Sequence, residues 1–577
     1  MGRHARDEGT TAGDGATATA EVPYEVEAFE GEAKRKIDLA NPAPFGYSIA
    51  FTLGLIALID RADSAMVGGV LPTLQDYFGF SDRMAGLLLS APSVAALILV
   101  VPAGRFADTR SRKLLLSIVI LAWGLLTFGA AAAPTFALFF LARVLLGMAT
   151  PLNIPASASI VGDTYRSEAR TKAFAIVRVM EYLGFPVGVL VGGVVGQTLG
   201  WRPAFLIMGV PAIILSAWVF VRLREPKRGL ADRLTVEAER RGIEVANADD
   251  TAGFDDVAEA GEPVNLRHAG EAEEEQGSVW TRIKEVLSIR TLRWIIIGQA
   301  MLFAGFSGMF SFAPTFFYRV HDLPEGAAAG IAGGLGMIGL QAGGAFASRV
   351  GDRHHGTRKG WRVLVSAIAL TIASLCVLVL AAVPNLPLQI LLYLIINFAN
   401  IMALANLGAA QADVIPARLR GTGFATAQFL VTIGSSFGAL IVGEVSNRII
   451  NRETSEPGQL VDGLEVTAKR LKDSEEALED AEKALDAAKD AGDPVATAAA
   501  QADVDNAQNL FDQLDAVFGP AQALGIRWGI AALFLVLIVG AITIFKARFT
   551  YDDDAAKVIA ELEEGGTPPP AAGHGMH

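Results

Sequence analysis

Cysteine is almost absent from this chain. Cys376 is the single one in 577 residues, which excludes an internal disulfide and a thiolate metal cluster. Charge is scarce too, at 19% of residues. No Walker-type phosphate loop, nucleophile elbow, metal-ligand cluster or nucleic-acid motif is present, so no cofactor, metal, nucleic-acid partner or enzymatic chemistry is expected. The glycine run Gly333-Gly334-Leu335-Gly336 lies inside an apolar segment and not after a strand, which rules it out as a dinucleotide loop. The first 40 residues are polar and lack the apolar core of a cleavable signal peptide; they read as a disordered tail. The net charge of −13 is uneven, with most of the acid in two hydrophilic insertions.

What is abundant is apolar length. The chain is 52% hydrophobic, with a mean hydropathy of +0.40, and its apolar runs reach the ~20 residues a helix needs to cross a bilayer. Twelve spans are expected, at about 45–70, 83–106, 114–132, 135–160, 171–198, 201–222, 292–318, 327–350, 362–383, 388–413, 421–447 and 524–545. The plan is an all-α membrane protein. A tail (1–40) leads to a six-helix half (41–225). An acidic linker ending in a short amphipathic helix (226–290) precedes helices 7–11 (291–447). An insertion (448–523), helix 12 (524–548) and a second tail (549–577) complete the chain. Arg and Lys cluster in loops 2–3, 4–5, 6–7, 8–9 and 10–11, which places both termini in the cytoplasm and the chain in the cell membrane.

The two halves repeat. Asp163, Arg170 and Phe174 recur 250 positions later as Asp413, Arg420 and Phe424, and Gly184, Gly188 and Gly193 recur as Gly434, Gly438 and Gly443. The turn Gly104-Arg105-Phe106-Ala107-Asp108-Thr109-Arg110-Ser111-Arg112-Lys113 has a degenerate copy in Ser348-Arg349-Val350-Gly351-Asp352-Arg353. Its pattern, Gly-x-x-Ala-Asp-x-x-x-Arg-Lys, resembles the signature between helices 2 and 3 of the major facilitator superfamily of transporters. That resemblance implies two six-helix halves around a central cavity. It also implies a cytoplasmic gate built from Gly104, Asp108, Arg112, Asp352 and Arg353.

The insertion at 448–523 carries apolar residues at three-four spacing on either side of Gly492-Asp493-Pro494, and reads as an extracytoplasmic antiparallel hairpin. From Arg452 to Asp515 it holds 17 acids against 6 bases. A solvated stalk or cap is the plain reading, and a docking arm for an envelope partner or a lid for an amphiphile the sharper ones.

Ionisable residues inside spans are the candidate machinery, because each costs roughly 2.5–3.5 kcal/mol to insert. Helix 1 carries Asp60, Arg61 and Asp63, helix 4 carries Arg143, and helix 5 carries Arg178 and Glu181 on one face. Counting depth at about 1.5 Å per residue sets Asp60 level with Arg143 and Asp63 nearer the interface. Asp60 or Glu181 is expected to take up a proton in one conformation and release it in the other. Asn397, Asn400, Gln428 and Phe306 are candidates to line the cavity, with Asn406 on the same helix as the first two. The stretch Ile59-Asp60-Arg61, Leu71-Pro72, Leu74, Phe78-Gly79-Phe80-Ser81 and Gly86-Leu87-Leu88 resembles the spinster branch of the superfamily. That branch is associated with lysolipid export, and it typically has an acid where this chain has Thr150. The expected function is therefore proton-coupled transport of an amphiphilic or hydrophobic molecule. Uptake of an organic anion countered by Arg61, Arg143 and Arg178 is an alternative, as is a non-transporting scaffold acting through the hairpin.

Overall fold

The computed structural model describes residues 23–241, 243, 279–352, 360–416, 419–454, 463–491 and 494–565. Two short strands, β1 (Pro23–Val26) and β2 (Arg35–Asp38), pair antiparallel before the first helix. The first half then runs α1 (Ser48–Gly69), α2 (Leu71–Phe78), α3 (Asp82–Thr109), α4 (Arg112–Ala131), α5 (Phe136–Ala149), a 3₁₀ turn at Thr150–Leu152, α6 (Asn153–Thr164), α7 (Ser167–Leu199) and α8 (Trp201–Arg222). A short α9 (Leu230–Arg240) and an amphipathic α10 (Val279–Ser288) follow. The second half is α11 (Arg290–His321), α12 (Glu325–Ala329), a π-helical turn at Gly330–Leu335, α13 (Gly336–Asp352), α14 (Trp361–Ala382), α15 (Leu386–Val414) and α16 (Arg420–Thr454). Last come α17 (Gly463–Ala491) and α18 (Pro494–Gly565). Among the described residues, eleven helices are long and apolar enough to cross a membrane. The three ionisable residues of α1 keep it out of that set.

Side-chain caps fix several helix starts. Ser111, Thr135 and Asn385 each accept a hydrogen bond from the backbone N–H three residues on. Glycines fix the closest helix pairs. A Cβ on Gly188 of α7 would sit 2.0 Å from the Ala62 carbonyl oxygen of α1, and one on Gly438 of α16 would sit 1.9 Å from that of Ala304 in α11. The repeat seen in sequence is thus the same backbone-to-backbone contact made once in each half.

Three segments depart from expectation. Residues 23–38 are not a loose tail: Phe29 bridges to Pro226, Ile37 and Leu39 are buried, and Glu27 pairs with Lys227 at 2.7 Å. The Lys227 ammonium holds the Glu27 carboxyl below the usual carboxylate range. The start of the acidic linker folds as α9, because Leu230, Leu234 and Ala238 fall on one face and are buried. Helix 11 extends past residue 447 to Thr454, and the second arm of the insertion is continuous with helix 12 as the 72 residues of α18, through Pro520. The first arm, α17, packs along α18.

Candidate functional site

The helices that carry the buried charges, α1 and α7, pack through Gly184 and Gly188, so the side chains beside those glycines meet across the pair. Arg61 reaches Glu181 at 2.8 Å from Nε and 2.7 Å from Nη2, and Arg178 holds the other carboxylate oxygen at 2.7 Å. Two guanidinium groups share one carboxylate. Both arginines keep open surface, with the Arg61 side chain 36% and the Arg178 side chain 52% exposed. Beside them stands an aromatic wall that crosses between the halves. The Arg61 guanidinium lies 5.7 Å from the Phe185 ring centre, Phe185 meets Phe310 of α11 edge to face at 5.0 Å, and Phe310 stacks on Phe306 at 5.7 Å.

Deeper in the first half the pairing differs from the depth count. Arg143 pairs with Asp63 at 2.9 Å and also donates to the Asp63 backbone carbonyl at 3.2 Å, while Thr127 donates to the Asp63 carboxylate at 3.0 Å. Asp63 is therefore buried and not interfacial, and the expected Asp60–Arg143 contact is not formed. Asp60 is also buried. Among the described residues it makes no ion pair and accepts one hydrogen bond, from the Thr150 hydroxyl at 3.3 Å. Ile59, Asp60, Asp63, Trp123 and Thr127 line a small void.

The remaining candidates scatter. Gln428, the positional counterpart of Arg178, is exposed, and Phe306 is half-buried in the aromatic wall. Asn397 is buried and donates to the Tyr393 carbonyl of its own helix. Asn400 is buried with its amide oxygen unpartnered among the described residues, and Asn406 ties α15 to the Ala347 carbonyl of α13. Arg112 is wholly buried and bound to Asp163, Glu225, Ser159 and the Pro226 carbonyl. Its counterpart 250 positions on, Arg362, pairs with Asp413 at 3.2 Å. The side chains of Gly104, Asp108 and Asp352, and all of Arg353, lie outside the described residues. No group of three metal-ligating side chains is found among the described residues.

Sequence reasoning missed the contacts that join the halves at the end away from β1 and β2. Asp82, at the start of α3, is buried and receives Arg319 of α11 at 2.9 and 3.0 Å, Gln75 of α2 at 2.8 Å and Ser446 of α16 at 2.5 Å. Glu325, at the start of α12, accepts from the backbone and hydroxyl of Thr73 at 2.8 and 2.7 Å. Gln197 of α7 accepts from the Gly326 N–H at 2.9 Å. The available signal was an acid opening the second helix of each half.

Helices in two repeated halves, with charge sealed inside one half and clasps between them at one end, define a multi-pass membrane carrier. The family model for the Major Facilitator Superfamily matches residues 53–439, and the chain belongs to that superfamily of membrane transporters. It is similar to the mouse sphingosine-1-phosphate transporter SPNS2, 30% identical over 188 residues that cover 32% of this chain and 34% of that one. It is also similar to the puromycin resistance protein pur8 of Streptomyces alboniger, 27% identical over 214 residues, 37% of this chain and 41% of that one. The match thus spans less than half the length of these relatives. The fold matches a crystal structure of a bacterial homolog of the human lysosomal transporter Spinster in an inward-facing and occupied conformation. The TM-score is 0.64 at 20% identity, covering 89% of this chain and 98% of that one.

Proposed function

We propose that the protein is a proton-coupled secondary transporter of the cell membrane that moves an amphiphilic organic molecule with an anionic head by alternating access, with both termini cytoplasmic. The observation that carries this reading is the pair Arg61 and Arg178 on one shared carboxylate, partly open and flanked by Phe185, Phe310 and Phe306. Two cations against one anion leave a net positive charge for a head group, and the ring wall suits an apolar body. Asp60 is the proton carrier, because it is a buried acid with no cation partner among the described residues, next to an arginine whose ties lie elsewhere. The relatives named for a sphingosine phosphate and for puromycin resistance support an amphiphilic cargo. The clasps at the end away from β1 and β2 support a resting state open toward the cytoplasm.

The test is proton flux in proteoliposomes challenged with lysolipids, cationic drugs and small organic acids. A lysophosphate-driven pH change that disappears in Asp60→Asn while tracer binding persists is expected. Flux unchanged in Asp60→Asn, or driven only by cationic drugs, would sink the reading.

A further inference from the structure

At the end that bears β1 and β2, a cleft of about 430 Å³ opens between the N-terminal strand segment and the helices α4 and α8. Phe29, Glu30, Lys113, Val221 and Arg222 line it, together with Glu32, Arg224 and Glu225. The last three are engaged within the protein. Glu225 receives Ser111 and Arg112, and Glu32 receives Arg35 at 3.0 Å and Arg224 at 3.1 Å. Lys113, Arg222 and Glu30 make no ion pair among the described residues. Lys113 instead extends over the Phe220 ring at 6.0 Å, and Arg222 over the Trp218 ring at 5.7 Å. Long cations that rest on rings and keep their charge at a polar edge mark the border of an apolar surface.

That apolar surface leads into the cleft from two sides. Leu114, Ile118 and Leu121 along α4, and Ile214, Trp218 and Val221 along α8, are all exposed, and each set follows one helix face. The two helices pack against one another where Gly124 lies against Gly209 and Ile213. Val221 belongs both to the stripe and to the cleft wall, so the tracks end where the unpaired charges begin.

We propose that this cleft is a binding site for an aminophospholipid. The phosphate sits between Lys113 and Arg222, the ammonium donates to Glu30, and the acyl chains lie along the stripes of α4 and α8. Phosphatidylethanolamine satisfies all three contacts. A choline head has no N–H for Glu30, and a glycerol head has no cation. The occupant would tie the strand segment to the lipid face of the first half.

Native mass spectrometry of the full chain, given equal amounts of phosphatidylethanolamine, phosphatidylcholine and phosphatidylglycerol, tests the site. Ethanolamine lipid is expected to be retained about tenfold over the other two. Lys113→Gln with Arg222→Gln is expected to bring its retention down to that of the choline lipid, and Glu30→Gln to make the ethanolamine and glycerol lipids equal. Thermal unfolding guards against a folding defect: ethanolamine lipid should raise the wild-type Tm and leave the double variant's Tm unmoved, with both starting from the same value in detergent. Choline lipid retained as well as ethanolamine lipid, glycerol lipid dominating, or a double variant that binds like wild type would each overturn the proposal.

Discussion

Asp63 and Arg143 are both nearly fully buried and face one another in the middle of the first half. Removing one partner of such a pair strands the other in a medium that cannot solvate it, at a cost of about 3–5 kcal/mol. Arg143→Ala is therefore expected to unfold well below wild type in a detergent thermal melt, and Arg143→Met combined with Asp63→Leu to recover most of the loss. If the single variant melts like wild type, the pair is not structural. This pair also shows where residue-level reading from sequence stops. The depth count began α1 at 45, and the helix begins at Ser48. Three residues are about 4.5 Å, nearly one turn, which moves the partner of Arg143 from Asp60 to Asp63. The face of the helix was legible and the turn was not. Thr150 was legible only as a missing acid; its bond to Asp60 depends on the 3₁₀ turn that begins there.

Between α12 and α13 a single span changes allegiance. Its N-terminal end is fastened to the first half by Glu325 on Thr73 and by Gly326 on Gln197. Its C-terminal part is seated on α15, where Cβ atoms at Gly339 and Gly343 would collide with Leu394 and Phe398. The π turn Gly330–Leu335 lies at the join, and the buried Tyr393 hydroxyl donates to the Ala332 carbonyl at 3.0 Å. A wide turn with glycines and one external hydrogen bond is where such a helix bends. Tyr393→Phe removes about 1 kcal/mol of that restraint. Hydrogen exchange over 330–335 is expected to accelerate while neighbouring α14 stays protected; unchanged exchange would place the bend elsewhere. The sequence displayed the glycines and not the π turn, because one inserted residue leaves the apolar spacing of a span almost intact. Elements of four residues, such as β1 and β2, are too short to show a period at all.

The two halves clasp through matched parts. Asp82 opens α3 against Ser446 of α16, and Glu325 opens α12 beside Gly196 of α7, with Ser446 and Gly196 at the same 250-residue offset as the glycine repeat. Both clasps must part for the end that they close to open. Asp82→Asn with Glu325→Gln is expected to move the population toward that open state, read as faster alkylation of a cysteine placed at Ala439 in a Cys376→Ser background. Alkylation at the wild-type rate would mean that packing, not these acids, holds the halves together. The two-half plan was legible because a duplicated half writes its offset into residues far apart. The clasps were not, since they join residues that no periodicity connects.

The 72 residues of α18 form one helix of about 108 Å, from the insertion through the last span and past it. Tyr551 and Asp554 bolt its far end to Asp413 and Thr291. A rod fixed to one half and projecting from it works as a pointer. Some 24 residues stand between Pro494 and Phe518, about 36 Å of arm paired with α17, so a rotation of the half by ~10° would sweep the tip through ~6 Å. A distance label near Pro494 would then record each turnover of the membrane core from outside it.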